Sequence, residues 1–348
     1  MKIGLSYNFF QGVNKMIINT FSKAIFENIY INLGLFKYIP IFLDLYTRKI
    51  LNVSDEEYVY KKFKQVFGYE PNFKNPQTLN EIINFRKLYD KNPLYTYCSD
   101  KITVREFVKK YVGEEILIPL IGIFSHPNEI NFHKIKYPCM IKTNHGSGFN
   151  IPIFQPPSWY QKIFIKNKLL YWLKLNYYFF EREWQYRNIE PKIIIEELLL
   201  DENNKIPKDY KFHCIGGKVE FIQVDVDRFS SHKRSFYSRH WKELDFTWSP
   251  VTEKGEIKYK KAPPQPKPEL LNEMINIAEK LAKPFYYVRV DLYLVNNRIY
   301  FGELTFTPGA GYEKFIPDKY DRIFGQKVRN TKQFKLCFEE FLRIKKLT

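Results

Sequence analysis

Residues 287–311, YVRVDLYLVNNRIYFGELTFTPGAG, decide the fold of this chain. The first nine alternate side chains with period two and are rich in β-branched and aromatic residues, and the pattern resumes after two asparagines. Two such runs joined by turn-forming residues predict a β-hairpin. Because alternate residues of a strand share a face, we expect Arg289, Asp291 and Glu303 on one face of this hairpin.

Two carboxylates that point the same way from a hairpin suit a magnesium ion that substrate phosphates also hold. Asp291 and Glu303 are the candidate pair. A structural ion-pair cluster is the other interpretation, because buried charge networks also arise without a catalytic role. The hairpin alone does not separate the two.

A second motif lies upstream, in residues 137–151, YPCMIKTNHGSGFNI. Here an apolar strand carries Lys142 and then enters a glycine-containing loop. Such a loop can close its backbone N–H groups over a phosphate, and a lysine on the adjoining strand can reach the phosphate oxygens. A Walker A loop is excluded, because GxxxxGK[ST] is absent and the lysine precedes the glycines. An ordinary hairpin turn is the alternative interpretation.

In this order, and about 150 residues apart, the two motifs resemble those of the ATP-grasp superfamily. The hairpin end looks like the metal-binding end of D-alanine:D-alanine ligase. More closely, about 260 residues resemble the TupA-like ATP-grasp family of polysaccharide biosynthesis proteins. The motifs that carry this resemblance, besides the loop and the hairpin, are Tyr69-Glu70-Pro71-Asn72, Asn75-Pro76 with Leu79-Asn80-Glu81, Cys98-Ser99-Asp100-Lys101 with Val104-Arg105, Ile193-Ile194-Ile195-Glu196-Glu197, Asp209-Tyr210-Lys211-Phe212, Gly216-Gly217-Lys218 and Asp227-Arg228.

The resemblance implies an α+β ATP-grasp fold, in which two α+β lobes with antiparallel sheets grip ATP after an N-terminal helical extension. The domains expected from it are an amphipathic helical extension (1–54), a helical or α/β N-terminal domain (55–135), a small lobe with the glycine loop (136–200), a large lobe with the metal site (201–335) and a C-terminal helical tail (336–348).

The same resemblance implies roles for individual residues. Those expected to bind the nucleotide are Lys101, Lys142, His145, Gly146, Ser147, Gly148, Glu196, Glu197, Leu198 and Asp209. Those expected to bind Mg²⁺ are Asp291, Glu303 and Thr305, and the catalytic residues are Arg289, Lys211 and Arg228. Thr305 stands where many superfamily members have an asparagine, which leaves the number of metal ions open.

The implied chemistry is activation of a carboxylate as an acylphosphate, followed by attack of an amine to form an amide. ATP and Mg²⁺ are the implied cofactors, and no protein nucleophile is required. The family is associated with capsules, O-antigens and teichuronopeptide. The implied partners are therefore an anionic sugar, nucleotide-sugar or glycan, or an amino acid, together with an amine donor.

Three alternatives stay open at this point. A glycosyltransferase would use a DxD metal site, and Asp225-Val226-Asp227 has that pattern. Phosphoryl transfer to a sugar without ligation is a second possibility within the same fold. A non-catalytic glycan- or membrane-binding module is the third, and it predicts that substitutions of Asp291 and Glu303 are tolerated.

Composition bears on partners and compartment. The formal charge is +17, and the chain is 45% hydrophobic and 18% aromatic, which is enough for a substantial core. The basic residues are spread along the chain without a nucleic-acid-binding signature, so no nucleic acid is expected. An anionic substrate, the anionic inner face of the membrane or a solvated lysine surface would each explain the charge. Four scattered cysteines fit a reducing, cytoplasmic setting.

Residues 16–45 are aromatic and apolar but are interrupted by charged and amide side chains. No run reaches the length of a transmembrane span, and no secretory signal is recognisable. Amphipathic helices are expected, packed on the catalytic body or docked peripherally at the inner membrane face.

Further along, helices are predicted at 55–67, 78–89, 101–111, 159–186 and 269–281, and strands at 117–124, 138–143, 211–214, 218–226 and 286–306. A basic cluster of Arg228, His232, Lys233 and Arg234 is a candidate site for the acidic sugar or the nucleotide, with a solvated surface loop as the alternative.

Overall fold

The computed structural model describes residues 53–226, 232–252 and 255–347. The predicted extension 1–54 lies almost entirely outside these residues. Within them, helices surround three β-sheets, and the strand pairs are antiparallel apart from one short parallel pair at an edge. The expected α+β class is confirmed.

The strands, in chain order, are β1 (Leu120–Phe124), β2 (Cys139–Thr143), β3 (Asn150–Ile153), β4 (Ile193–Glu197), β5 (Asp209–Ile215), β6 (Lys218–Val226), β7 (Lys233–Ser238), β8 (Thr247–Ser249), β9 (Lys260–Lys261), β10 (Tyr287–Val295), β11 (Arg298–Thr305) and β12 (Lys314–Ile316). A small sheet has the order β1-β4-β2-β3, and a large sheet has the order β11-β10-β5-β6-β7-β9. Strands β8 and β12 form a separate pair.

The helices are α1 (Asp55–Phe67), α2 (Leu79–Tyr89), α3 (Pro93–Ser99), α4 (Val104–Tyr111), α5 (Trp159–Lys174), α6 (Tyr178–Glu181), α7 (Leu271–Ala282), α8 (Lys319–Arg329) and α9 (Lys332–Leu347). Short 3₁₀ turns occur at Pro127–Glu129, Trp184–Tyr186 and Pro308–Gly311.

Side-chain caps set the first helix boundaries. The Ser54 hydroxyl accepts from the backbone N–H of Glu57, and Gly68 ends α1 in the left-handed conformation. Thr78 and Glu81 form a reciprocal capping box at the start of α2. The predicted helices at 55–67 and 78–89 are therefore confirmed.

The predicted helix 159–186 is wrong in extent, because α5 ends at Lys174. The ring Nε2 of His145 lies 3.1 Å from the carbonyl oxygen of Trp172 and 3.0 Å from that of Leu175. It donates to these carbonyls, so they are satisfied from outside the helix. The chain then turns, and the Asn176 side chain accepts from the backbone N–H of Tyr178 at the start of α6.

The predicted hairpin is confirmed as β10 and β11. Asn296 and Asn297 both have positive φ, 49° and 57°, as a type I′ turn requires. Asp291 lies directly opposite Glu303, and the register shifts by one residue immediately after this pair. The carboxylates are thus set side by side on neighbouring strands.

Three apolar clusters support the sheets. Helix α7 covers one face of the large sheet, through Met274, Ala278 and Leu281 among others. Helices α2 and α8 pack with an aromatic cluster around Phe221 and Trp248 on the opposite face of that sheet. Helix α5 covers the small sheet. Polar side chains occupy the remaining large-sheet surface, where the candidate site lies.

Across the described residues, no helix has the length and hydropathy of a membrane span. The four cysteines are free thiols, three of them buried.

Candidate active site

The β10–β11 hairpin holds a guanidinium among oxygen atoms. Arg289 donates from Nε to Asp291 Oδ1 (2.6 Å) and from Nη2 to Asp291 Oδ2 (2.7 Å). The same Nη2 donates to Glu303 Oε1 and Thr305 Oγ1, each at 2.9 Å. The predicted common face of Arg289, Asp291 and Glu303 is confirmed. Asp291 is buried, whereas the Glu303 side chain is 42% exposed and can meet a ligand.

Strand β5 adds a buried lysine to this face. The Nζ of Lys211 donates to Asp209 and, at 2.8 Å, to Asp291 Oδ2. Asp225 on β6 lies 3.8 Å from the same nitrogen. The Lys211 side chain is only 4% exposed, and a charge so deeply buried is stable only when it is paired. The structure therefore joins the predicted residues Asp209 and Lys211 to the hairpin.

Asp225 is fully engaged by its neighbours. It accepts from Gln223 Nε2 (2.8 Å), and its Oδ1 lies 3.2 Å from Arg234 Nε and 3.3 Å from His232 Nε2. Burial opposes ionisation, but His232, Lys211 and Arg234 outweigh it and hold the pKa of Asp225 well below its usual range. This carboxylate is poorly placed to serve the DxD site of the glycosyltransferase alternative.

Charge in the cluster is unbalanced. Its cations are Lys211, Arg234 and Arg289, and its carboxylates are Asp209, Asp225, Asp291, Glu303 and Glu313, which gives a formal charge of −2. Burial raises the pKa of Asp291 to about 6, against the opposite effects of Arg289 and Lys211. An additional cation would relieve this excess of negative charge.

The small sheet carries the opposite charge. Lys142 Nζ donates to Glu196 Oε2 (2.7 Å), and Arg105 Nη1 donates to Glu196 Oε1 (3.0 Å). Lys101 and Asp100 lie nearby, and both contribute to the local field. Three cations thus face two carboxylates, which leaves an excess of positive charge of the kind that phosphate requires.

The glycine loop is held close to an aromatic ring. A Cβ on Gly146 would lie 2.7 Å from Cδ2 of Tyr177, so only glycine fits there. Gly148 has a φ of 77°, which also favours glycine. The Nζ of Lys101 donates to the Gly146 carbonyl. Ser147 and Gly148 are exposed and available to a ligand.

His145 occupies a different position from its loop neighbours. Its side chain is buried and donates to the end of α5, as described above. Burial lowers the pKa of His145, so the ring is neutral. These contacts make it an anchor of the loop, and its predicted role in nucleotide binding stays a prediction.

The two charge clusters face each other. Burial lowers the pKa of Lys101 to about 8, and the charge of Glu303 opposes that shift. Burial raises the pKa of Tyr177, and the negative charges of Glu183 and Glu303 raise it further. The ring of Tyr177 packs 4.9 Å from that of Tyr186. Glu303, on the large sheet, therefore interacts electrostatically with Lys101 and Tyr177, the two side chains that contact the glycine loop. The two motifs, about 150 residues apart in sequence, therefore lie close enough for their charges to interact.

The remaining predicted residues lie at the edge of this site or outside the residues that the structure describes. Glu197 ends β4 and pairs with Lys136 at 2.5 Å. Leu198 is buried, and its backbone N–H donates to the Pro138 carbonyl. Arg228 lies outside the described residues, as does the second aspartate of the DxD pattern.

Sequence reasoning did not assign a role to Arg105, Asn144 or Tyr177. The Asn144 side chain donates to Asp100 and the Glu190 carbonyl and accepts from the backbone N–H of Lys192. Arg105 and Asn144 belong to sequence motifs that carry the family resemblance, so the sequence indicates that both positions matter. Tyr177 belongs to no motif and is brought to the loop only by the break after α5.

The candidate metal ligands fit Mg²⁺ only if further oxygen ligands come from outside the protein. Within residues 53–226, 232–252 and 255–347, no group of three or more His, Cys, Asp or Glu side chains could hold a metal ion by itself. Asp291, Glu303 and Thr305 supply two carboxylates and a hydroxyl, so substrate phosphates and water must complete the coordination. In this structure Arg289 is the cation that bridges these three side chains.

A family model described as TupA-like ATPgrasp matches residues 81–329, which is more than half of the chain. A search of curated proteins found no match.

Several solved structures are similar. The ADP complex of N5-carboxyaminoimidazole ribonucleotide synthetase shares 12% identity at a TM-score of 0.39, over 61% of this chain and 46% of that one. D-alanine–D-alanine ligase from Bacillus anthracis shares 15% identity at 0.38, over 72% and 69%. The ATP-grasp ligase PsnB, with a precursor variant, Mg and ADP, shares 11% at 0.35, over 72% and 60%. The chain therefore spans less than half of the first of these proteins.

Proposed function

Because the chain belongs to the TupA-like ATP-grasp family, we propose that it is an ATP-dependent, ADP-forming carboxylate–amine ligase of surface polysaccharide biosynthesis. The substrate to be activated is a uronic-acid sugar or an amino acid, and an amine attacks the resulting acylphosphate. The observation that carries the proposal is the pairing of a positive cluster on the small sheet with a negative cluster on the large sheet. A magnesium–nucleotide complex has the complementary charges.

The positive cluster suits the phosphates of ATP. Lys142 and Lys101 would neutralise phosphate oxygens, and the backbone N–H groups of the exposed residues Ser147 and Gly148 would close over them. Arg105 shares the Glu196 carboxylate with Lys142, so Lys142 can turn to a phosphate without leaving Glu196 unpaired. The strand end at 196–198 is the proposed contact for adenine and ribose.

The negative cluster suits the metal. Asp291, Glu303 and Thr305 would hold Mg²⁺, which, when bound, reduces the repulsion between the γ-phosphate and an anionic carboxylate. Arg289 and Lys211 are then placed to bind the transferred group and stabilise its charge. Because Arg289 uses the same oxygens as the metal in this structure, we expect its guanidinium to turn toward the transferred group when the metal binds.

Mg·ATP binding is the first test. We expect Mg·ATP to raise the melting temperature of the full chain, because a ligand at 100 times its Kd stabilises a protein by about 2.7 kcal/mol. Lys142→Ala and Glu303→Ala should each abolish most of this shift. Lys134→Ala and Glu202→Ala remove exposed charges elsewhere and are the matched controls. A shift that survives both site substitutions would refute the assignment.

The reaction is tested by trapping. A panel of uronic acids and amino acids is incubated with Mg·ATP and hydroxylamine, and hydroxamate and ADP are measured together. Equal formation of both with one carboxylate supports ligation. ADP with a phosphorylated sugar and no hydroxamate would favour the phosphotransferase alternative. Stabilisation by UDP-sugars that is indifferent to Lys142→Ala would favour a glycosyltransferase.

A further inference from the structure

The outer surface of the small sheet has a charge pattern unlike that of the rest of the chain. Residues 130–180 contain no aspartate or glutamate and seven lysines, of which only Lys142 belongs to the candidate active site. Helix α5 contributes four of these lysines. In a chain with 38 acidic residues, an acid-free stretch of this length marks a surface that repels cations and attracts anions.

The start of α5 also exposes large apolar side chains. Trp159 is 74% exposed, Tyr160 61% and Ile163 49%, and Phe154 just before the helix is 55% exposed. Trp159 and Ile163 are four residues apart and therefore lie on one side of the helix. Isolated exposed apolar residues need no explanation, but four within ten residues form a patch.

A depression of about 410 Å³ adjoins this patch. Lys162 and Lys166 line it, with Lys162 Nζ 3.1 Å from His133 Nε2 and Lys166 Nζ 3.4 Å from Asn128 Oδ1. The Glu129 carboxylate also lines it, but it accepts from the backbone N–H of Ser125. Neither lysine has a carboxylate partner among the described residues, so both can meet an external anion. We call Phe154, Trp159, Tyr160, Lys162, Ile163 and Lys166 the docking face.

The docking face points away from the candidate active site. The buried side of α5, including Ile165 and Leu169, packs against the small-sheet face that carries Ile141. Lys142, the next residue of β2, points to the opposite face, because side chains alternate along a strand. A large surface can therefore cover the docking face without closing the nucleotide cleft.

We propose that the docking face binds the surface of a membrane rich in anionic phospholipid. Aromatic side chains prefer the boundary between headgroups and acyl chains, and neighbouring lysines bind the lipid phosphates. A second copy of the chain fits less well, because it would bring two lysine-rich, acid-free faces together. Residues 1–52 fit less well for the same reason, since they carry six basic and two acidic residues. This proposal does not depend on the proposed reaction.

Binding of the full chain to lipid vesicles tests the proposed membrane contact. We expect sedimentation with vesicles of 70% phosphatidylcholine and 30% phosphatidylglycerol, and little with phosphatidylcholine alone. Lys162→Gln/Lys166→Gln should weaken binding by roughly fivefold for each lysine. Trp159→Ser/Ile163→Ser should weaken it by at least about tenfold. Lys280→Gln/Lys283→Gln makes the same charge change on exposed positions of the large lobe and should have little effect.

Fluorescence reports insertion directly. Trp159 is far more exposed than the buried Trp172 and Trp248, so anionic vesicles should shift its emission to the blue. Trp159→Tyr should lose that shift while it still sediments with the vesicles. The proposal is overturned if the wild type ignores anionic vesicles, or if both docking-face variants bind like the control. It is also overturned if the wild type self-associates in solution and the apolar variant does not, because the face is then an interface between copies.

Discussion

At the scale of single residues, Arg289 explains how the site is stable without its ligand. Two carboxylates and a hydroxyl converge on one face of the hairpin, and a buried negative charge is costly unless it is paired. The guanidinium fork meets Asp291 with two hydrogen bonds and reaches Glu303 and Thr305 as well. The proposed metal ligands are therefore preassembled around a cation.

Arg289→Lys tests the catalytic part of this role. Lysine keeps the charge but lacks the planar fork, so it cannot make the same set of bonds. We expect the rate of ADP formation to fall by at least about 100-fold, as for the loss of a donor to a transition-state charge. The Kd for Mg·ATP should change by less than about threefold, since Lys142 and Lys101 are the proposed contacts of the phosphates. An unchanged rate, measured with protein of wild-type melting temperature, would exclude the role.

At the scale of elements, helices α2 and α8 are in close contact at the start of α2. A Cβ on Gly325 would lie 2.3 Å from the carbonyl oxygen of Gln77 and 2.7 Å from Cα of Thr78. Asn80 at the start of α2 donates from its backbone and its side chain to Asp321 on α8 (2.9 and 2.8 Å). Asn84, one turn later, donates to the Gly311 carbonyl of the loop that follows β11.

Gly325→Ala is expected to destabilise the protein by about 1 to 3 kcal/mol, because backbone atoms must move apart. Helix propensity alone would predict a gain of about 1 kcal/mol from the same change, so the sign decides between the two effects. Gln326→Ala, at the neighbouring exposed position, is the control. Urea unfolding at constant m-value is the measurement. Stabilisation by Gly325→Ala would show that the junction is looser than the structure indicates.

Asp321 gives this junction a dependence on pH. Burial raises its pKa from 3.8 to about 7, although hydrogen bonds from Asn80 oppose the shift. Because the folded pKa lies above the unfolded one, the stabilising contribution is fully present below about pH 4 and is lost as the pH rises through 7. Asp321→Asn should resemble the protonated state and remove this dependence.

The expected result is that the free energy of unfolding of the wild type, relative to Asp321→Asn, falls by on the order of 2 to 4 kcal/mol between pH 4 and pH 7. Asp318→Asn changes an exposed aspartate close to the same helix and should follow the wild-type curve. Denaturant titrations at several pH values measure the difference. Parallel curves for wild type and Asp321→Asn would contradict the pKa shift.

At the scale of the whole molecule, the candidate site needs both the small and the large sheet, because each contributes one of the two charge clusters. The charge of Glu303 opposes the lowering of the Lys101 pKa by burial. Tyr177 contacts the glycine loop, and the same carboxylate adds to the effects of burial and Glu183 that raise the Tyr177 pKa. A ligand of complementary charge would contact both sheets at once. The family membership confirms the expected ATP-grasp fold.

Hydrogen exchange should show this bridging. We expect Mg·ATP to slow amide exchange in residues 142–150 and in 298–305 together, because ordering of either side depends on the other. ATP with EDTA should protect the first segment more than the second. Helix α7, which is buried behind the large sheet, is the internal reference. Protection confined to one segment would show that the two clusters do not share a ligand.

The sequence by itself determined the hairpin, the capped helices at 55–67 and 78–89, and the common face of Arg289, Asp291 and Glu303. Each of these depends on side chains a few positions apart, so alternation, turn chemistry and capping patterns report them directly. The membership of Asp209 and Lys211 in the same site as Asp291 came from the family resemblance rather than from any local pattern.

The tertiary structure alone decided the rest. The end of α5 at Lys174 depends on His145, 27 residues from Trp172, and no local signal predicts that contact. The pairing of Arg105 with Glu196 joins residues 91 positions apart, and the pKa of Asp321 depends on burial against α2. Burial and long-range charge contacts are properties of the packed molecule. The sequence therefore specified the chemical groups and their local geometry, whereas packing decided which of them meet and how strongly they are charged.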